Sequence, residues 1–247
     1  MRSRSKGGGN AFVALVAALG LLLVPAQCRA VSFGANLSRA PNNTTTCNSS
    51  VWTYPYANPF TNCSFDFQDV ATGETVFPPA GNGVVTKVRV RVGPTTGPMQ
   101  VVVEQALRKD NPGDPGHPTY ACCQAINASQ VFTPNANAIT EIPVNLPVRQ
   151  DLAPDPSTGI YTDQHLALSV LAPNVPIPAN LDSNGFYGGW FPARHVGDER
   201  AGPYGGQGAV ILLNADWSAG SAAKACKKAK KGAQSAKKKR CKKKKRK

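Results

Sequence analysis

The chain is expected to be all-β. Residues 31–220 read as an antiparallel β-sandwich of jelly-roll type, residues 1–30 as a signal peptide whose apolar run is helical, and residues 221–247 as a disordered lysine-rich tail. Three observations predict this. The stretch Gly83 to Val92, GVVTKVRVRV, alternates from Thr86 onward, with Val88, Val90 and Val92 on one side and Lys87, Arg89 and Arg91 on the other. Side chains two apart share a face only in a strand, so this is a strand with an apolar face and a basic face. Roughly ten short valine-rich or aromatic runs recur between Gly and Pro turn signals, and no segment between them has helical periodicity. The 23 glycines and 21 prolines supply the turns.

The N-terminus carries Arg2, Arg4 and Lys6, then the uncharged run Ala11 to Ala26 of 16 residues. A basic start followed by a short apolar stretch is the pattern of a secretory signal. The run is shorter than the ~20 residues that span a bilayer, although an uncleaved anchor is the competing reading. Small residues allow cleavage after Ala26 or after Ala30, and Ala30 is preferred because the first strand is expected at Val31.

The body follows in order. Val31-Ser32-Phe33 opens it, and a polar loop surrounds Cys47. Strand-like pieces follow at Val51–Tyr56, Ser64–Gln68 and Thr75–Phe77, the last ended by Pro78-Pro79. Gly83–Val92 is the central strand. Met99–Leu107 is expected as its antiparallel hairpin neighbour across the Gly93-Pro94 and Gly97-Pro98 turns, with Val102 out of pattern. Asp110–Pro118 is loop. Strands are then expected at Thr119–Gln124, Gln130–Thr133, Ile139–Val148, His165–Leu171 and Ala209–Leu213. Pro143 and Pro147 remove ladder donors, so Ile139–Val148 reads as an edge strand. His165–Leu171 is apolar on both faces and reads as covered on both sides.

Seven cysteines are present. In an exported chain they favour disulfides. Cys47 and Cys63 are expected to pair, and a loop of that size stabilises by roughly 3 kcal/mol in the chain-entropy view. Cys226 and Cys241 offer a second bridge. The adjacent Cys122 and Cys123 can bridge each other, stay as thiols or take separate partners. No CxxC or Cys/His spacing suggests a metal site, and no cofactor motif occurs.

Charge divides sharply. Of 28 basic residues, four lie in 1–30 and fifteen in 224–247, which leaves nine in the body against all 14 acidic residues. The body is therefore mildly acidic. The tail repeats itself imperfectly around Cys226 and Cys241, and it has no large apolar residue to build a core. Its densest part, Lys237, Lys238, Lys239, Arg240, Lys242, Lys243, Lys244, Lys245, Arg246 and Lys247, is expected to bind polyanions through counterion release. For an exported protein these are anionic wall polymers or an anionic lipid surface, with non-specific nucleic acid binding only in vitro.

A ligand site is expected in the aromatic, glycine-rich stretch Phe186 to Asp198. Tyr187 and Trp190 can stack on sugar rings while Arg194, His195 and Asp198 fix hydroxyls, which would suit a polysaccharide. The competing reading is that Trp190 and Phe191 plug the end of the sandwich. For catalysis, Asp163/His165 and Asp151/Asp155 are the nearest pairings, and no GxSxG or HExxH motif occurs. With His117, His165 and His195 as the three histidines, no catalytic residue is assigned. Six N-x-S/T sequons (Asn36, Asn42, Asn43, Asn48, Asn62, Asn127) are glycosylation candidates in a eukaryotic secretory route and otherwise turn residues.

The order VSFGANL, a cysteine loop, GVVTKVRVRV, NLPV and AVILLNAD resembles a group of uncharacterised exported β-sandwich proteins of actinobacteria. The resemblance implies export and a sandwich, and brings no site residues. Two functions follow from the sequence. The first is a non-enzymatic, envelope-associated or adhesive module tethered by its tail. The second is a secreted carbohydrate-active enzyme on a jelly roll.

Overall fold

The computed structural model describes residues 30–49, 60–114 and 119–220. The signal segment before Ala30, the Val51–Tyr56 run, His117 and all of 221–247, with Cys226, Cys241 and the basic cluster, lie outside the described residues. Thirteen strands organise what is described: β1 (Val31–Gly34), β2 (Cys63–Asp69), β3 (Glu74–Thr75), β4 (Gly81–Arg91), β5 (Met99–Lys109), β6 (Thr119–Ala128), β7 (Ile139–Gln150), β8 (Ile160–Val170), β9 (Ala179–Asn180), β10 (Phe186–Trp190), β11 (Tyr204–Gln207), β12 (Val210–Ile211) and β13 (Leu213–Ala219). The fold is all-β and antiparallel.

The main sheet runs β1-β13-β4-β7-β8-β2-β10-β11, with β5 on β8 and β6 on β5. Its continuity is slight at one point. β7 meets β8 only at Gln150 and Asp163. There the sheet curls, and its two arms bury their apolar sides in one core. Val85, Val88 and Val90 come from β4 on one arm; Phe65, Phe67, Met99, Val101, Leu166 and Leu168 come from the other.

The valine alternation of β4 is realised as a buried face. A bulge at Thr86 resets its phase, because Val85 and Lys87 pair with successive residues of β13, Trp217 and Asp216. The opposite face is basic, but its charge is consumed locally. Lys87 Nζ lies 2.9 Å from Glu141, and Arg89 reaches Glu141 and Asp216, each at 2.7 Å. Arg91 donates to the carbonyls of Leu37 and Ser38. Arg89 thus ties β7, β4 and β13 side by side, and Ser32 of β1 donates to the same Asp216. The Arg89 guanidinium holds the Asp216 carboxyl below its usual range. This contribution to stability is present above the ordinary carboxylate range and is lost as pH falls through the depressed value.

Ile139–Val148 was expected at an edge. β7 pairs with β4 along its length and with β8 at one position only, so the prolines cost few ladder bonds. β8 is buried on both faces from Gln164 to Val170, as its apolar alternation requires. The Cys47–Cys63 bridge is formed with Cα atoms 5.5 Å apart, and Cys122 is joined to Cys123.

Three expectations are corrected. Met99–Leu107 does not pair with the central strand; β5 pairs with β6 and β8. The proline-containing turn carries the chain from one arm to the other, so the two strands present their apolar faces to the core from opposite arms. Gln130–Thr133 is not a strand, but touches β5 through a single bridge at Phe132. Ala209–Leu213 is not one strand: Val210–Ile211 pairs with β9 in a small separate sheet, and β13 of the main sheet begins at Leu213. Leu213, Ala215 and Trp217 continue the inward face to Ala219, while Asn214 and Asp216 meet Arg89 on the other side.

Trp217 depends on a missing side chain. A Cβ on Gly83 would lie 2.1 Å from the indole Nε1. Gly83→Ala is therefore expected to cost about 1–3 kcal/mol through overpacking. Thermal unfolding of the two proteins checks this, and an unchanged melting temperature would show that Trp217 does not pack over Gly83.

Candidate functional site

The arm containing β5 and β8 has a second face, turned away from the core. Partner residues in an antiparallel pair share a face, so Ser64 and Asp66 of β2, Glu104 and Ala106 of β5, His165 and Ser169 of β8, and Gly188 and Trp190 of β10 all project to this side. The segment 191–203, between β10 and β11, lies across it as a strap. Its fastenings are numerous. Ala201 exchanges two backbone hydrogen bonds with Cys123, and Gly197 N donates to Ala125. Trp190 Nε1 donates to Ala201 O at 2.9 Å, Ala193 N to Asn62, and Arg194 N to Ser64 Oγ. Arg200 donates to the carbonyls of Ala121 and Gln105.

Beneath the strap is a cluster of ionisable groups. Glu104 is 0% exposed and His165 1% exposed, and they are cross-strand partners. Asp66 Oδ2 lies 3.1 Å from His165 Nε2, while Asp66 Oδ1 accepts from Gly188 N at 2.7 Å. The His165 ring lies against Phe77 at 4.7 Å and is near-parallel to Trp190 at 6.4 Å. Arg194 enters from the strap. Its Nε lies 3.5 Å from Glu104 Oε1, and its Nη2 donates to the carbonyls of Cys123 and Glu199 at 2.9 and 2.7 Å.

Burial pushes the Glu104 carboxyl above its usual range, against the pull of Arg194 and His165. Neither oxygen of Glu104 has a well-formed hydrogen bond among the described residues. Asp66, His165 and Glu104 are acid–base residue types, yet the strap closes the face over them. Among the described residues, no group of three or more His, Cys, Asp or Glu is arranged to hold a metal ion.

The residues proposed from sequence for a ligand site are divided between environments. Tyr187 pairs with Phe67, and so shares the core face with it; Trp190 pairs with Ser64 on the strap face. Trp190 and Arg194 are buried, at 3% and 8% exposure. His195 is exposed, and its backbone N–H donates to Asp198. Phe191 packs on the main core beside Phe65, ring edge to ring face at 5.6 Å, whereas Trp190 belongs to a smaller cluster with Ala106, Cys123 and Ala167.

The acids considered for catalysis serve other ends. Asp163 meets Arg108 at 3.3 Å, Asp151 pairs with Arg149, and Asp155 accepts from Ser157 in a turn. All six sequon asparagines make side-chain hydrogen bonds. Asn36, Asn43 and Asn127 bond to nearby backbone. Asn42, Asn48 and Asn62 bridge to distant segments.

Sequence reasoning missed Glu104 and Asp66. Glu104 lies on the side of Met99–Leu107 away from Met99, Val101 and Val103, and its pairing with His165 is set by the β5–β8 register, which the sequence does not show.

On the other side of β10 a half-open cleft of about 160 Å³ lies between the Asn43–Thr45 loop, β9, β12 and β11. Phe65, Ile177 and Ile211 give it an apolar floor, with Tyr187 and Leu181 among its walls. Among the described residues, none that lines it carries a formal charge. A second groove of about 220 Å³, lined largely by Pro41, Pro94, Pro176, Pro178 and the residues between them, adjoins it through Asn43 and Ile177. No known family, curated protein or solved structure matches this chain.

Because the fold raises the pKa of Glu104, the stability this group contributes is full below the ordinary glutamate range and is lost as pH rises through the raised value. Glu104→Gln, neutral at every pH and able to accept from Arg194, is expected to be about 1–3 kcal/mol more stable than wild type at pH ~8 and nearly equal to it at pH ~4. Urea unfolding at the two pH values measures this. A large loss at both would mean that an ionised Glu104 sustains Arg194.

Proposed function

We propose that the protein is an exported, non-enzymatic β-sandwich module that associates with the cell envelope, held there by its basic C-terminal segment. The observation that carries this reading is where free positive charge resides. Every arginine of the described residues is engaged by a carboxylate or by backbone carbonyls. Arg39 meets Glu74, Arg89 meets Asp216 and Glu141, Arg108 meets Asp163, Arg149 meets Asp151 and Arg194 meets Glu104. Arg91 and Arg200 donate to carbonyls. The basic face of β4 is therefore no polyanion site, while residues 224–247 carry fifteen basic residues and no acid. A polyanion binds such a segment by releasing counterions, without sequence choice and with strong salt dependence.

The two arms around one core support the sandwich reading, and the Cys47–Cys63 bridge is compatible with an oxidising address. The acid–base groups that an enzyme would use lie under the strap. The open cleft instead offers apolar and neutral groups, which suit recognition and supply no strong acid or base. These features favour a binding module over a carbohydrate-active enzyme.

Sedimentation with purified anionic wall polymer, using mature protein with and without residues 221–247, tests the tether. The full chain is expected to pellet at low salt and to be released near 0.5 M salt, where the screening length falls to a few ångströms. The shortened chain is expected to stay soluble with an unchanged melting curve. Salt-resistant pelleting of both would overturn the tether.

A further inference from the structure

We infer that the Cys122–Cys123 bridge is a thiol–disulfide exchange site that takes a dithiol as its reductant, and that its redox state sets how firmly the strap is held. The inference goes beyond the envelope-module reading and does not rest on the basic segment. Four observations carry it.

The first is the size of the loop. In the chain-entropy view a disulfide stabilises more as the loop it closes lengthens. Cys47 and Cys63 are 16 apart in sequence and fasten a loop to β2, whereas Cys122 and Cys123 are neighbours. The second bridge therefore gives the fold the least that a disulfide can give by restraining the unfolded chain.

The second is its place in the ladder. Gln105 pairs with Gln124 and Leu107 with Ala121, so Ala106 alone stands opposite both cysteines. This is a bulge, two residues against one. In an unbroken strand adjacent side chains point to opposite faces. Here both reach the small cluster under the strap, Cys123 beside Ala106, Ala167 and Trp190, and Cys122 packed on it.

The third is access. Cys47, Cys63 and Cys123 are fully buried. Cys122 is half-buried and follows the exposed Tyr120 and Ala121. Exchange needs one sulfur that a thiolate can reach, and Cys122 presents it while Cys47–Cys63 does not.

The fourth is what the bridge holds. Cys123 N donates to Ala201 O, and its carbonyl accepts from Ala201 N and from Arg194 Nη2. On either side, Ala121 O accepts from Arg200 and Ala125 O from Gly197 N. The strap is thus tied to β6 around the one peptide that the disulfide locks.

The chemistry balances. A thiolate of the dithiol attacks Cys122 Sγ, the S–S bond breaks, and Cys123 leaves as a thiolate that takes up a proton. The second thiolate of the reductant attacks the mixed disulfide and releases Cys122, which is protonated in turn. Two electrons and two protons pass to the protein, and the reductant becomes a disulfide. The 122–123 peptide then regains backbone freedom, and the strap loses its fixed partner.

The test titrates the full mature chain with dithiothreitol at pH ~8, near the ordinary thiol pKa. Free thiols are alkylated and assigned by peptide mass, and amide hydrogen exchange is followed in the same samples. Cys122 and Cys123 are expected to open at ~10-fold or more lower dithiol than Cys47 and Cys63. In that window the Ala201 and Gly197 amides are expected to exchange ~10-fold or more faster than in the oxidised chain, with Leu166 and Leu168 unchanged. The double variant Cys122→Ser, Cys123→Ser should show the same fast exchange without dithiol. If it fails to fold, the wild-type titration decides alone.

Opening of Cys47–Cys63 first, or of both bridges only as the chain unfolds, would overturn the inference. Selective opening of Cys122–Cys123 with the strap amides unchanged would overturn it equally, as would a folded double variant whose strap exchanges as slowly as that of the oxidised chain.

Discussion

The structure turns on burying β5 and β8 from both sides. Their core face is satisfied by Met99, Val101, Leu166, Leu168 and Val170. Their other face places Glu104 and His165 side by side with almost no access to water. A charged pair left in that position would be expensive, because the penalty for burying an unpaired charge exceeds that of most packing defects. The strap answers this with Arg194, whose guanidinium sits by Glu104 while its Nη2 donates to the Cys123 and Glu199 carbonyls. The raised pKa of Glu104 lowers the cost further by favouring its neutral form. The strap is therefore part of the fold's second, smaller core, and its attachment to β6 through Cys123 and Ala201 joins the edge strand to the same unit.

The same economy governs the outside. Cations on β4 face carboxylates on β7 and β13, at cross-strand distances where opposite charges reinforce strand pairing. Exposed pairs of this kind contribute little individually. Together they neutralise the basic face of β4 locally, strand against strand.

Much of the fold was legible in the sequence, because period-two alternation reports directly on burial. GVVTKVRVRV announced β4, the two-sided apolar pattern of His165–Leu171 announced the covered strand β8, and Pro143 with Pro147 announced an edge. The order of strands was not legible. Turn signals between β4 and β5 read as a hairpin, but a turn of that length can also carry a chain between two arms, and only the packing of both valine faces decides. The site was partly misread for a related reason. Tyr187 and Trp190 look adjacent in the sequence, yet their separation by three puts them on opposite faces of β10, one beside the core and one under the strap. Glu104 was overlooked because a single acid in a valine-rich strand reads as a solvent-facing residue until the cover over that face is known.

Everything functional proposed for this protein requires the Asp66–His165–Glu104 cluster to be closed and structural while the Cys122–Cys123 bridge is formed, with binding left to the basic segment. Native-state hydrogen exchange probes that closure through the amides of Ala201, Gly197, Arg194 and Cys123, which fasten the strap. They are predicted to exchange with protection close to that of Leu166 and Leu168 in β8, through global unfolding. Exchange of the strap amides about a hundredfold or more faster than those of β8 would mean a lid that opens over an acid–base site. That result would contradict a closed cluster and favour an enzyme.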